Sequence, residues 1–478
     1  MKTLAGILCL SLVFGPFKGF AQSPNSSLNL MGPSRNNTAN AQNLPVQVDI
    51  QAGTHVKWVA DLGSQSYGAP ILKDGKIYVG TNNESLKDPR VTNDRGILMA
   101  FDEGSGEFLW QFAFRKDYEP KIHDWPLQGI RSTPYVEGDR LYFLNNLTEL
   151  ICADTQGFTD AEDDGIQDAK SGVRDGDMVW KYDLKYELDV FPHNGTVFGG
   201  VNRPLILGDL IITGTNTGLD NQHNYVPSPF APDIIALNKK TGKLVWEKVL
   251  AGKNNLHISA SNPAYGIVDG IPQLIFPAGD GWIYSLNPSN GEIIWKFDCN
   301  PKDAVWKLGG AGTRNNIIAT PVIWDNKVYI GVGQDTEHGD APGHLWCIDM
   351  KGKGDVSSKA AVWHRGGNDF NRTVSSVVID NGIVYAADLS GFLYALDANN
   401  GEHYWTYDTF AAVWAGPLVA DGKVYLGDED GDIVVLAAGK KLKELAEYNL
   451  GAAIYSAPVA KDNVLYVKTR NKLFALKK

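Results

Sequence analysis

The sequence has little that would place it in a membrane, on nucleic acid or among disulfide-rich proteins. Its N-terminal apolar run, residues 4–14, is too short to span a bilayer, and nothing later in the chain is long enough. There are four cysteines, widely spaced and never adjacent, so no disulfide framework is expected. The formal net charge of −11 argues against nucleic acid and anionic membrane surfaces as partners. No G-x-S-x-G, P-loop, zinc-finger or dinucleotide fingerprint stands in a suitable strand–helix context.

The first 21 residues have the pattern of a secretory signal peptide. Lys2 precedes the apolar run, and residues 19–21 form a small-x-small cleavage site before Gln22. Cys9 lies inside the apolar run rather than just after it, which argues against a lipid anchor. We therefore expect an exported protein, periplasmic or extracellular, whose net charge becomes −13 once Lys2 and Lys18 are removed.

The chain does contain a repeated phrase with fixed internal spacing. The pattern A/S-x-D/N-x-x-x-G-x-x-x-W begins at Ala100, Ala236, Ser285 and Ala395. Such a phrase, with variable gaps between its copies, indicates a repeat architecture. Its D/N-x-x-x-G part predicts a tight turn with glycine at positive φ, and its Trp is expected to pack between neighbouring units. The tryptophans assigned this structural role are Trp58, Trp110, Trp180, Trp246, Trp295, Trp363 and Trp405.

Between these phrases, a strand-opening proline and an alternating apolar strand recur. The opening prolines are Pro70, Pro134, Pro204, Pro263, Pro321, Pro417 and Pro458, with Ser375-Ser376 in the sixth position. Eight units of four strands predict an all-β fold, an eight-bladed β-propeller over residues 55–478, after the signal peptide (1–21) and an irregular lead-in (22–54). The last unit lacks its Trp strand, so we expect strand 56–62 to complete the last blade and close the ring.

The repeated phrase resembles the docking motif of the pyrroloquinoline quinone (PQQ)-like eight-bladed propellers, over roughly residues 56–478. Segments 279–282, 297–301 and 331–335 are most similar to the BamB-like and uncharacterised exported branch of that family. The resemblance implies fold more than activity, because the family holds both quinoprotein dehydrogenases and non-catalytic propellers. The dehydrogenases typically have two adjacent cysteines beside the quinone, and this chain has none. The resemblance therefore implies no particular cofactor, and the missing pair of adjacent cysteines argues against PQQ.

In a propeller, the links between strands two and three and the links between blades lie on one face, here called the link face. The long links of these kinds are residues 112–130, 185–200, 215–233, 251–259, 298–316 and 333–343. Six of the nine histidines lie in or beside them: His123, His193, His223, His257, His338 and His344. They are candidates for a metal site or an acid–base pair. The alternative is that they hydrogen-bond backbone, and no H-x-x-H or H-E-x-x-H spacing supports a ligand set.

Residues three positions before the opening proline converge around the central channel. In four blades this position holds a large side chain: Tyr67, Arg131, Trp414 or Tyr455. Together with Arg314 and Arg372 on the same face, they are candidates to bind an anionic or sugar-like ligand, with the aromatics stacking on a ring. The alternative is that they plug the channel.

Blade two carries an acidic insert, about residues 155–178, between strands three and four and so on the opposite face. Asp160, Glu162, Asp164 and Asp168 have a spacing that resembles a calcium loop, and the fragment 163–168 resembles the short calcium repeats of thrombospondin type. Ser171 stands where a calcium loop usually has its bidentate Glu. Calcium is thus a candidate ligand, and a solvated acidic loop is the alternative.

Three functional hypotheses follow. The first is an exported binding or scaffold protein that uses its link face to hold a protein, small-molecule or carbohydrate partner. The second is an enzyme acting on a small or carbohydrate ligand in the central funnel, motivated by the one-sided supply of His and Arg. The third and least supported is a PQQ-dependent dehydrogenase.

Overall fold

The computed structural model describes residues 32–116, 126–160, 165–166, 174–192, 203–334 and 341–478. In these ranges, eight sheets each contain four antiparallel blade strands, and the sheets follow one another round a ring. The prediction of an eight-bladed β-propeller is confirmed. Apolar side chains of neighbouring blades interlock between the sheets, so the core is a ring of inter-blade layers rather than one centre.

The strands and helices have the following bounds. Before the first blade lie β1 (Thr38–Ala39) and β2 (Val56–Asp61). Blade one is β3 (Ile71–Lys73), β4 (Lys76–Asn82), β5 (Arg95–Asp102) and β6 (Phe108–Arg115). Blade two is β7 (Tyr135–Glu137), β8 (Arg140–Leu144), β9 (Glu149–Asp154) and β10 (Met178–Asp183), followed by α1 (Leu184–Leu188). Blade three is β11 (Leu205–Leu207), β12 (Leu210–Gly214), β13 (Ile234–Asn238) and β14 (Leu244–Lys248). Blade four is β15 (Ala264–Val268), β16 (Ile271–Pro277), β17 (Trp282–Leu286) and β18 (Ile293–Asp298).

The second half of the ring continues the pattern. Blade five is β19 (Val322–Trp324), β20 (Lys327–Val332), β21 (His344–Asp349) and β23 (Ala361–Gly366), with β22 (Gly354–Asp355) added to the edge of blade four. Blade six is β24 (Val378–Asp380), β25 (Ile383–Ala387), β26 (Phe392–Asp397) and β27 (His403–Asp408). Blade seven is β28 (Leu418–Ala420), β29 (Lys423–Gly427), β30 (Asp432–Ala437) and β31 (Glu444–Asn449). Blade eight is β32 (Val459–Lys461), β33 (Val464–Lys468) and β34 (Lys472–Lys477) together with β2. Short 3-10 turns cover Gly157–Thr159, Gly252–Asn254, Leu308–Gly310 and Gly367–Asp369.

The two ends of the ring meet in blade eight. β2 pairs antiparallel with β34, and Trp58 lies opposite Ala475. The expected closure by strand 56–62 is confirmed. Without β2, the edge of β34 would have no strand to pair with. This explains why the unpaired strands at the two ends of the repeat array complement each other.

Each repeat Trp lies opposite a small residue of strand three in its own blade. The pairs are Ala100 with Trp110, Cys152 with Trp180, Ala236 with Trp246, Ser285 with Trp295, Cys347 with Trp363, Ala395 with Trp405 and Ala475 with Trp58. Cys152 and Cys347 therefore fill the small-residue position of the repeat, and both are buried thiols. Blade seven has Ala446 opposite Val435 instead.

The indole rings join one blade to the next. Trp180 packs on Gly242 of the following blade and donates its Nε1 proton to the carbonyl of Lys239 at 3.0 Å. Trp363 contacts Gly401 and bonds the carbonyl of Ala398 at 2.9 Å in the same way. The glycines lie at positive φ, +67° and +72°, so they serve both the tight turn and the close approach of the ring.

The lead-in takes a fixed path across the channel. β1 pairs in parallel with β28, the innermost strand of blade seven, and residues 33–42 contact backbone or side-chain atoms of blades three to eight. Asn36 both donates to the carbonyl of Ile379 and accepts from its amide, each at 2.8 Å. The amide of Gln42 bonds the carbonyl of Asp462, in the hairpin between strands one and two, at 3.0 Å. The lead-in thus closes the channel on the face opposite the link face.

Candidate functional site

The two kinds of link meet on one face of the structure. Isolated bridges join Pro192 to Thr217, Gly218 to Ile258 and Ile317 to Gly333. In each pair, one residue belongs to a link between blades and the other to a link between strands two and three. These bridges tie neighbouring links together through their backbones from the end of blade two to blade five.

This link face carries the strongly exposed aromatic side chains. Among the described residues, the exposed aromatics are Tyr186, Tyr225, Phe230, Trp306 and Phe410. All five belong to links of this face, and Phe230 and Phe410 are each 89% exposed. Phe410 also has a φ of +59°, and its amide donates to Asp408 Oδ1 at 2.8 Å. Large exposed apolar groups held on ordered loops are typical of a binding surface.

Two of these aromatics line a groove of about 750 Å³ between α1 and the two-to-three link of blade three. Tyr186 comes from α1, with the Lys185 ammonium 4.2 Å from the centre of its ring. Tyr225 is held by its own loop, because Asp220 Oδ1 accepts from the amides of Asn224 at 2.6 Å and Tyr225 at 2.9 Å. The groove is therefore preformed, with aromatic walls and a polar rim.

The structure brings together only some of the candidate histidines. His223 and His257 form an edge-to-face pair with ring centroids 5.0 Å apart, and His257 is buried. His344 lies in blade five, where its Nδ1 is 3.1 Å from Nε2 of His364. His123, His193 and His338 lie outside the described residues. In the part of the chain that the structure describes, no group of three or more His, Cys, Asp or Glu side chains could hold a metal.

Sequence reasoning did not single out His364. Its ring stacks on Trp346 with centroids 3.8 Å apart. Burial lowers the pKa of His344 to about 4, and burial also lowers the pKa of His364, so both are neutral near pH 7. The signal that could have found the pair is strand register, since Trp346 lies directly opposite His364.

The candidate arginines lie in three different between-blade links. Arg314 is held by Asp298 through two bonds of 2.8 and 3.2 Å and donates its Nε proton to the carbonyl of Asp280. Arg131 donates to Gln128 Oε1 at 3.3 Å. The backbone of Arg372 bonds Leu389, and its Cβ lies near Gly333. The guanidinium of Arg314 is thus bonded to Asp298 and to the turn that contains Asp280, which favours a structural role.

The aromatic candidates meet at the mouth of the channel. Tyr67 and Tyr455 have ring centroids 5.4 Å apart, and Trp414 lies 6.3 Å from Tyr455. Trp414 and Tyr67 are buried, and the indole of Trp414 donates to Glu429 at 3.0 Å. The three rings come from the consecutive blades seven, eight and one and pack on their neighbours, which favours the plug alternative.

Trp414 and Tyr455 also line a small cavity of about 50 Å³. It is lined by residues just before the opening prolines, among them Thr133, Arg203 and Thr320, and by Arg35 of the lead-in. Sequence reasoning missed both arginines. The repeat register could have pointed to Arg203, because it is a large charged residue directly before the opening proline of its blade. At that position other blades have Ala69, Thr133, Asn262, Thr320, Gly416 and Ala457. Arg35 lies in an aperiodic segment and gives no such signal.

The comparison with known proteins agrees with the ring geometry. The family model described as outer membrane protein assembly factor BamB matches residues 94–368 and 279–478. The chain belongs to this BamB-like family of PQQ-like β-propellers. BamB of Moraxella catarrhalis has a similar structure, with a TM-score of 0.55 at 15% identity over 88% of this chain and 97% of that one. At that identity, the likeness shows the fold.

Two curated relatives have different names. The chain is 25% identical to outer membrane protein assembly factor BamB of Moranella endobia over 268 residues, 55% of this chain and 58% of that protein. It is 24% identical to quinoprotein alcohol dehydrogenase PedH of Pseudomonas putida over 420 residues, 75% of this chain and 62% of that protein. The chain thus spans about three fifths of the length of either relative.

The channel cavity of this BamB-like chain is too small for a quinone. PQQ is a tricyclic tricarboxylate, and ligand pockets of that order measure about 300–1,000 Å³. The channel cavity measures about 50 Å³, and Arg35, Trp414 and Tyr455 are among the residues that line it. Of the predicted calcium ligands, Asp160 is described, and Glu162, Asp164 and Asp168 lie outside the described residues.

Within the described ranges, no helix has the length and hydrophobicity that a membrane crossing requires.

Proposed function

We propose that this BamB-like propeller is an exported binding or scaffold protein that holds a protein partner on its link face. The observation that carries the proposal is the one-sided distribution of exposed aromatics: all five among the described residues belong to that face. Aromatic anchors on a preformed backbone are the usual energetic centres of protein interfaces. The printed role of the BamB relatives, outer membrane protein assembly, supports a partner of the same envelope class.

The geometry gives less support to the enzyme hypothesis. A funnel enzyme for a carbohydrate needs an open pocket at the channel mouth, and there Tyr67, Trp414 and Tyr455 pack on one another instead of standing apart to receive a ring. The two described histidine pairs lie in different blades, with buried His257 in one and neutral His344 in the other. These features favour a binding surface over a catalytic pocket.

The test is site-specific photo-crosslinking in the envelope of the native organism. We expect a photoreactive residue at Phe230 or Phe410 to crosslink one defined protein, and one at Ile271 to give none. Ile271 is a matched control, because it is an exposed apolar residue (47%) beside the hairpin between strands one and two, on the opposite face. In purified protein, Phe230→Ser and Phe410→Ser should leave the unfolding midpoint unchanged, since both side chains are in solvent.

The combined Phe230→Ser/Phe410→Ser variant should also lose most of the copurified partner, with a weakening of tenfold or more, because hot-spot aromatics cost about 2 kcal/mol or more on truncation. Ile271→Ser should keep the partner. Equal crosslinking from both faces, or a partner that the double variant retains, would contradict the proposal.

A further inference from the structure

We propose that the central channel contains a binding site for a small free oxyanion, built by Arg35 of the lead-in and Arg203 of blade three. The two arginines are 1% and 5% exposed and line the same cavity of about 50 Å³. This site is separate from the link-face surface of the proposed function, and neither inference depends on the other.

The charge of Arg35 is solvated only by neutral groups among the described residues. Its Nε donates to the carbonyl of Pro263 at 2.7 Å, and its Nη2 donates to the carbonyls of Arg203 at 2.9 Å and Pro204 at 3.4 Å. Burial lowers its pKa to about 10. Carbonyl oxygens orient the fork, but they do not neutralise a buried cation.

Arg203 has hydrogen-bonding capacity left over. Its Nε and Nη2 atoms are buried with no hydrogen-bond partner among the described residues, and so is the hydroxyl of Ser456 on the same cavity. Burial first, and then the positive charge of Arg35, lower the pKa of Arg203. Two like charges buried beside one small cavity are costly, and unused buried donors add to the cost, so an anion between them would offset both.

The rest of the lining also suits an anion. No carboxylate is among the described residues that line the cavity. Thr133 Oγ1 accepts from the amide of Ala69 at 3.0 Å, and Thr320 Oγ1 accepts from Asn262 Nδ2 at 2.9 Å. Each hydroxyl therefore keeps its own proton to donate. A guanidinium fork matches the geometry of carboxylate, sulfate or phosphate oxygens.

Size and access decide the ligand class. A volume of about 50 Å³ holds one small ion, and the rings of Trp414 and Tyr455 pack together beside it. The ligand is therefore a free inorganic oxyanion or a short carboxylate. Because it would bridge Arg35 and Arg203, it would also fasten the lead-in to the ring.

The test titrates the full exported chain with sodium sulfate, phosphate, formate and acetate in separate arms, by calorimetry and by unfolding midpoint at constant ionic strength. We expect saturable one-to-one binding of at least one oxyanion and a saturable rise in midpoint. The tetrahedral arms and the carboxylate arms distinguish the two sources. Arg203→Met should weaken binding at least tenfold, whereas Arg115→Met, which removes the same charge from the exposed edge of blade one, should leave it unchanged.

Two further points keep the test decisive. Salts such as sulfate stabilise many proteins without a site, so a midpoint rise that is equal in Arg203→Met and in the parent chain would overturn the proposal. If Arg203→Met does not fold, Ser456→Ala replaces it, with an expected severalfold loss of affinity. A parent chain that shows no saturable binding of any of the four anions would also overturn the proposal.

Discussion

At the residue scale, one buried carboxylate recurs in the turn between strands two and three. Asp280, Asp388 and Asp428 each accept backbone amides of their own turn, and the first two also accept the hydroxyl of a tyrosine from strand three. Burial raises the pKa of all three carboxyls, to about 7 for Asp280 and about 6 for Asp428. These acids hold the link-face turns in shape, and their raised pKa values have a structural cause.

Asp280→Asn is expected to change how stability depends on pH. The folded-state pKa of Asp280, about 7, lies above its ordinary value of 3.8, so the folded state binds more protons between those values. The contribution of Asp280 to stability is therefore complete below pH 3.8 and is lost as pH rises through 7. The guanidinium midpoint of Asp280→Asn, relative to the parent chain, should rise between pH 4 and pH 8. Asp269 is an exposed carboxylate of the same blade, and the plot of midpoint against pH for Asp269→Asn should run parallel to that of the parent chain. A parallel plot for Asp280→Asn would refute the expectation.

At the element scale, the turn between strands three and four does two jobs. Its glycine makes the turn and also gives the indole of the preceding blade a flat surface, as Gly242 does for Trp180. The sequence phrase predicted the turn and the role of the Trp together. It could not show which blade the ring would touch, because that depends on the direction in which the ring closes.

Gly242→Ala should be more destabilising than Gly270→Ala. Both glycines have positive φ, +67° and +78°, so both variants carry backbone strain of about 1 kcal/mol. A Cβ on Gly242 would lie 2.8 Å from the Trp180 ring, whereas one on Gly270 meets nothing within 4 Å. We expect Gly242→Ala to cost about 1–3 kcal/mol more in the free energy of unfolding, measured with guanidinium. Equal costs would show that the ring adapts without penalty.

At the scale of the whole molecule, the fold depends on one junction between its ends. β2 completes blade eight, and Trp58 then docks on Gly106 of blade one and bonds the carbonyl of Glu103 at 3.2 Å. The lead-in adds a second constraint by crossing the channel. The ring is therefore closed both round its circumference and across its centre.

Trp58→Ala should loosen this junction selectively. Loss of the ring and its bond should cost about 3 kcal/mol, as large-to-small changes at packed aromatics do. In hydrogen exchange, amides of blades eight and one should exchange faster, while blades four and five keep their protection. Val59→Ala, on the solvent side of the same strand, serves as the control. Uniformly faster exchange round the ring would show that the junction is not a separate weak point.

The repeat register predicted most of the ring but not its additions. Closure by strand 56–62 followed from counting strands, because a blade that lacks its outer strand needs one from elsewhere. β1 and β22 were not predicted, since two-residue parallel pairings leave no alternation of apolar and polar residues. The candidate site was less predictable. The convergence of Tyr67 and Tyr455 follows from register, whereas the pairing of His344 with His364 depends on which strands become neighbours.

The sequence by itself determined the architecture of this protein, because local turn chemistry and strand periodicity recur with enough regularity to count blades. Only the tertiary structure decided what lies at the centre and on the link face. Arg35 and Arg203 are 168 residues apart in sequence and meet because the lead-in crosses the channel. The exposed aromatics of the described residues lie on one face because the ring aligns links from blades that are distant in the chain. Contacts of this kind depend on closure of the whole ring, which no local pattern encodes.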